Sequence, residues 1–121
     1  MKDALVKLGK HGEALAKEYL LKKGYEIVKE NFRFQRAETD IIVKNAEKKQ
    51  LVFVEVKTRR NKKFGEPEEA VTEQKMQQLV KSAEGFLMNT AGYEDYDIRF
   101  DIIAILADGK NETINHIENA I

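Results

Sequence analysis

The chain has 121 residues, 21 of them basic and 21 acidic, for a formal net charge of zero. Apolar residues make up 42% and charged residues 35%, which is too hydrophobic for a disordered chain and too polar for one embedded in a membrane. The length suits one domain over residues 1–121, and the longest apolar run, residues 102–107, falls far short of the roughly 18 residues that a spanning helix needs.

Residues 3–23 read as an amphipathic helix, with Leu5, Leu8, Leu15, Ala16, Tyr19 and Leu20 on one face at helical spacing. Asp3 is placed to cap its start, and Gly24 suits the left-handed position beyond its end. Strands are predicted over 25–34, 39–44 and 51–58, the last two joined by a polar turn at 45–50. A second helix is expected from Pro67, which needs no N–H at a first helical position, to Asn89. Glu68 and Glu69 then sit at the positive end of its dipole, and Leu79, Ala83, Phe86 and Leu87 form its core face. The β-branched run 98–107 and the segment 113–118 complete an α-β-β-β-α-β-β order. That order predicts an α/β fold, a mixed β-sheet flanked by two α-helices.

Charge is unevenly placed. Residues 1–63 hold 17 basic and 9 acidic side chains, whereas residues 64–121 hold 4 and 12. The densest basic stretch is Lys57-Thr58-Arg59-Arg60-Asn61-Lys62-Lys63. Such opposed halves suggest nucleic acid or another polyanion as partner, although a solvated basic loop gives the same pattern.

Cysteine is absent, Ser82 is the lone serine and there are two histidines. Disulfides, thiol nucleophiles and a Ser-His-Asp site are thereby set aside, and no phosphate-cradling glycine motif occurs. Any chemistry must run on carboxylates, lysines and a hard metal ion. In Phe53-Val54-Glu55-Val56-Lys57, alternation puts Glu55 and Lys57 on one face and the valines on the other. If Lys44 pairs with Leu51 across the turn, Asp40 stands opposite Glu55. Like charges so opposed are destabilising unless one is protonated, a cation compensates or a divalent metal lies between them. Glu13, at the edge of the first helix's apolar stripe, and Lys75, between Val71 and Leu79, are candidates to join them. Read singly, Glu55 and Lys57 also fit a solvated strand face, Glu13 a surface residue, Lys75 a snorkelling one and His116 a structural one.

Asp40 followed by Glu55-Val56-Lys57 at the end of an apolar strand resembles the PD-(D/E)xK signature of restriction-endonuclease-like nucleases. The wider pattern includes Gly9-Lys10-His11-Gly12-Glu13-Ala14-Leu15-Ala16, Glu38-Thr39-Asp40-Ile41-Ile42, Phe64-Gly65-Glu66-Pro67-Glu68-Glu69-Ala70-Val71, Arg99-Phe100-Asp101-Ile102 and His116-Ile117-Glu118-Asn119-Ala120. It resembles the YraN-like uncharacterised family almost end to end, and that family resembles archaeal Holliday junction resolvases in fold. One departure stands out: Ala37-Glu38-Thr39-Asp40 replaces the family's usual Gly-Glu-Ile-Asp, which predicts a different local turn.

The resemblance implies a restriction-endonuclease-like fold and a phosphodiesterase site using Mg²⁺ (or Mn²⁺). It maps Asp40 and Glu55 onto catalytic metal ligands, Glu13 onto an additional one, and Lys57 onto the catalytic lysine. The expected activity is endonucleolytic cleavage of DNA in preference to RNA, on branched or structured substrates. Arg59, Arg60, Lys62, Lys63 and Lys75 would contact the nucleic acid. A non-catalytic nucleic-acid-binding module on the same fold is the alternative, and a protein-interaction domain a third. A homodimer is suggested by analogy to the resolvases. A cytoplasmic protein with no membrane partner is expected from the absence of an apolar leader after Met1-Lys2-Asp3-Ala4 and of cysteine.

Overall fold

The structure is a computed structural model that describes residues 2–61, 63, 65–108 and 110–121, with the side chains of Lys2, Asp3 and Ala70 outside that description. Its elements are α1 (Lys2–Lys22), β1 (Glu26–Phe34), β2 (Ala37–Asn45), β3 (Gln50–Arg59), a 3₁₀ turn (Pro67–Ala70), α2 (Glu73–Met88), β4 (Asp97–Asp108) and β5 (Asn111–Ile117). They form one five-stranded sheet in the order β1-β2-β3-β4-β5. β3 and β4 are parallel, and the other neighbours are antiparallel. This is the predicted mixed sheet flanked by two helices, an α/β architecture compatible with a restriction-endonuclease-like core. Among the described residues, no helix is long and apolar enough to cross a membrane.

Side-chain alternation gives the sheet two apolar faces. Ile41, Val43, Val52, Val54, Ile103 and Ile105 pack under Ala16 and Leu20 of α1. Ile42, Leu51 and Phe53 pack under Leu79, Ala83 and Phe86 of α2. α1 ends as expected: Gly24, at φ 95°, donates to the Leu21 carbonyl while Tyr25 donates to that of Leu20, so the last orphan carbonyls are satisfied.

Three local expectations differ. The helix begins at Lys2, so Asp3 is not its cap. Leu5 shares the helical stripe yet is 68% exposed, because a cavity separates it from Thr58 and Arg59 at the end of β3. The helix expected from Pro67 is divided: Val71 is extended, and α2 starts only after Thr72, whose hydroxyl accepts from the Lys75 N–H. That cap satisfies one of the orphan donors of the first turn, which Pro67 could not do.

A polar network centred on β4 lies on the α1 side of the sheet. Asp101 is fully buried in β4. It accepts from Arg99 Nε and Nη2, both at 2.9 Å, and from the Asn119 N–H at 3.1 Å. His116 Nε2 lies 2.7 Å from it, and Tyr19 Oη and Tyr25 Oη extend the network through His116 and Arg99. The network thus links α1, the turn before β1, β4, β5 and the C-terminal segment. Burial pushes the Asp101 carboxyl up, but His116, Arg99 and the Asn119 N–H together hold it below its usual range. Such a group contributes stability above its unfolded pKa, and that contribution fades as pH falls through the folded value. Asp101→Asn should therefore lower unfolding free energy by roughly 3–5 kcal/mol at neutral pH, the usual cost of leaving a buried ion partner alone. In chemical denaturation, the difference from the parent should shrink in acid; equal stability at neutral pH would contradict this role.

Candidate active site

The predicted register is present: Lys44 faces Leu51, and pairing runs on through Ile41 and Val54. There the β2–β3 ladder ends, while β3 stays paired with β4 as far as Arg59 and Leu106. β2 changes faces at this point. Ile41 packs under α1, yet Thr39, two residues earlier, bonds to Ser82 on α2. Strand residues two apart ordinarily share a face, so the backbone turns over at Asp40. Its β1 neighbour Asn31 has φ 51°, a left-handed conformation. Asp40 therefore does not complete a regular cross-strand pair with Glu55. Its carboxylate instead reaches across the gap and accepts the Val56 N–H at 2.7 Å.

The departures at Ala37 and Thr39 fit this geometry. Ala37 is buried opposite Phe34, and the positive φ in that turn falls on Gln35. Ser82 Oγ donates its single proton to the Leu79 carbonyl, so Thr39 is the donor to Ser82. The threonine hydroxyl is thereby satisfied inside the core and ties β2 to α2 beside Asp40.

Two clefts meet at Asp40, Val56 and Lys57. On the α2 side a cleft of about 140 Å³ is lined by Arg36, Glu38, Asp40, Glu55, Lys57, Lys75 and Gln78. On the α1 side a second, of about 410 Å³, is lined by Leu5, Leu8, Gly9, Glu13 and Arg59 together with Asp40 and Lys57. Glu13 is carried close by Gly12, above Thr58; a Cβ at position 12 would lie 1.8 Å from Thr58 Oγ1. The structure thus brings Asp40, Glu55, Lys57 and Lys75 to one cleft and Glu13 to the adjoining one. Arg59 lines the α1-side cleft, and Arg60 and Lys63 are exposed beyond it. Lys62 lies outside the described residues. Reasoning from sequence overlooked Arg36 and Gln78, whose approach depends on the fold, and singled out Glu38 as a recurrent polar position without giving it a role. It also assigned no role to Asp101, although a lone carboxylate inside an apolar strand demands partners.

The acids are in electrostatic conflict. Burial, then the charge of Asp40, pushes Glu55 up to about 8, with Lys75 and Lys57 opposing. Burial also raises Asp40; the Val56 N–H pulls the other way, Glu38 adds to the rise, and Lys75 and a hydrogen bond with Glu55 oppose it. Glu13 is raised by burial and then by Asp40. Among the described residues, no three His, Asp or Glu side chains gather closely enough to hold a metal ion. The expected three-carboxylate cage is therefore not formed by protein side chains alone. Two carboxylates still match the habit of Mg²⁺, which takes one or two from protein and completes its shell with water and phosphate. The charge that Asp40 and Glu55 resist carrying together, despite Lys75 and Lys57, is what a dication would neutralise, so the donor pair fits that ion.

Fold and cleft together define an α/β protein with paired acids and two lysines at an opening in its sheet. A family model described as uncharacterised protein family UPF0102 matches residues 12–105. A UPF0102 protein from Caldicellulosiruptor bescii is 46% identical over 118 residues, which cover 96% of this chain and 98% of the relative. One from Syntrophomonas wolfei is 45% identical over 93% of this chain and 96% of its own, and one from Christiangramia forsetii 45% over 93% and 92%. The chain belongs to the UPF0102 family, in agreement with the YraN-like pattern in its sequence.

The conflict at Glu55 has a measurable sign. A carboxyl whose folded pKa exceeds its unfolded value takes up a proton on folding, so stability falls as pH rises through that interval. Glu55→Gln removes the ionisable group. In chelator-containing buffer its thermal midpoint should exceed the parent's at about pH 9 and approach it at about pH 3.5, below both pKa values. A variant that gains nothing over the parent at the higher pH would show that Glu55 is not held against its charge.

Proposed function

We propose that this protein is a Mg²⁺- or Mn²⁺-dependent endonuclease that hydrolyses phosphodiester bonds in DNA, with branched or structured DNA as substrate. One observation carries the reading: two half-buried carboxylates held together where the β2–β3 ladder stops, with Lys57 and Lys75 lining the same cleft. A dication bound there would polarise the scissile phosphate and lower the pKa of an attacking water.

Asp40 and Glu55 would hold the ion. The Val56 N–H restrains Asp40, so its carboxylate is oriented in advance. Glu13, in the adjoining cleft, would act through water. Lys57, two residues beyond Glu55 on β3, would orient the attacking water and receive developing negative charge. Lys75 already lowers both carboxyl pKa values and would share its charge with a phosphate. Arg59, Arg60 and Lys63 would hold backbone phosphates, contacts that position DNA and read little sequence.

Nuclease-free preparations should cut a branched DNA substrate with Mg²⁺ or Mn²⁺ and stop on chelation. Asp40→Asn and Lys57→Ala should each lose roughly 10²-fold or more in rate, as removal of one transition-state contact does elsewhere. A Lys57→Ala protein that cuts at the parental rate removes the assigned role. Salt-sensitive DNA binding without cleavage or metal uptake would instead identify a non-catalytic nucleic-acid-binding module.

A further inference from the structure

A further cavity lies beside the carboxylates rather than on them. It encloses about 510 Å³ between the start of α1 and the end of β3, with Ala4, Leu5 and Leu8 as floor and Thr58, Arg59, Arg60 and Asn61 as wall. Leu5, Leu8, Thr58 and Arg59 also line the cleft that contains Glu13, Asp40 and Lys57. The two spaces therefore form one groove, running from the acidic pair to an apolar end.

Phosphate recognition accounts for the arginines but gives no reason for the leucines. Leu5 is 68% exposed, and Val6 beside it is 51% exposed. Arg59 Nε is the sole buried side-chain nitrogen or oxygen among the described residues without a hydrogen-bond partner. A ligand that suits this end needs an apolar face for the leucines and an anionic group for the guanidinium. A nucleotide has both, since a base packs on apolar and guanidinium surfaces while its phosphate accepts from arginine. Lys57 and Arg59–Arg60 are separated by about 7–10 Å along an extended strand, a spacing suited to neighbouring nucleotides. The volume also falls within the roughly 300–1,000 Å³ of small-ligand sites.

Resting on the nuclease reading, we propose that this groove receives one unpaired base of the DNA strand whose backbone crosses Asp40 and Glu55. A base within a duplex is stacked and cannot enter such a groove without being extruded. The substrate is therefore DNA with an unpaired nucleotide next to the bond cut, as at a single-strand tail or a branch point.

Fluorescence anisotropy in chelator, where no cleavage occurs, separates base from phosphate. The probes are a blunt duplex, the same duplex with a short thymidine tail, and that duplex with an abasic tail carrying the same phosphates. Thymidine-tailed DNA should bind roughly fivefold or more tightly than abasic-tailed DNA, the scale of one stacked base. Leu5→Ser, at a largely exposed position, should erase the preference and leave abasic-tail binding unchanged; Leu5→Phe should retain it. Equal affinity for the two tails overturns the base site and leaves the nuclease reading intact. Failure to bind any of the three probes overturns both. Self-association of the protein that Leu5→Ser abolishes assigns the groove to a second copy of the chain and also overturns the proposal.

Discussion

The hydrogen bond from the Val56 N–H to the Asp40 carboxylate is the contact on which the cleft depends. β3 keeps β4 as a partner to Arg59 but loses β2 after Val54. The sheet therefore has an edge within its interior. An edge there would expose unpaired backbone groups, and Asp40 occupies one of them with a side chain in place of a strand. The same contact fixes a carboxylate beside Glu55 and opens the sheet to both faces. Glu13 can then approach from α1 while Lys75 approaches from α2.

Two neighbouring positions in the middle of the sheet are built on opposite electrostatic terms: Asp101 lies beside Val54, one residue before Glu55 on β3. Around Asp101, each acceptor oxygen meets a donor, and the carboxyl is held ionised while fully buried. Around Asp40 and Glu55, acids are crowded together and their ionisation is resisted. The first arrangement fastens α1, the turn before β1, β4, β5 and the C-terminal segment to one another. The second stores unfavourable charge at an accessible cleft, a pattern that stable scaffolds tolerate at sites of binding or catalysis.

Much of this was legible in the sequence because it rests on periodicity. The polar turn at 45–50 fixed the β2–β3 register, and Glu55-Val56-Lys57 announced a strand with a charged side. The reversal of β2 at Asp40 was not legible, since it depends on Asn31 in β1 and on the Thr39–Ser82 contact, 43 residues apart in the chain. Helical spacing places Leu5 on the same stripe as Leu20, but cannot say that a cavity parts it from the end of β3. Pro67 and Thr72 both carry helix-start signals, and side-chain capping decides for Thr72. Acid spacing likewise could not show that Glu13, carried on α1, lines a separate cleft from Glu38 and Glu55, with Asp40 bordering both.

The missing Cβ at Gly12 has a mechanical consequence. With no side chain interposed, α1 rests directly on Thr58, and the next residue along each element is Glu13 or Arg59. Helix and strand tip have no slack between them. Any side chain at position 12 would wedge helix and strand apart at this joint and widen the distance between Glu13 and Arg59.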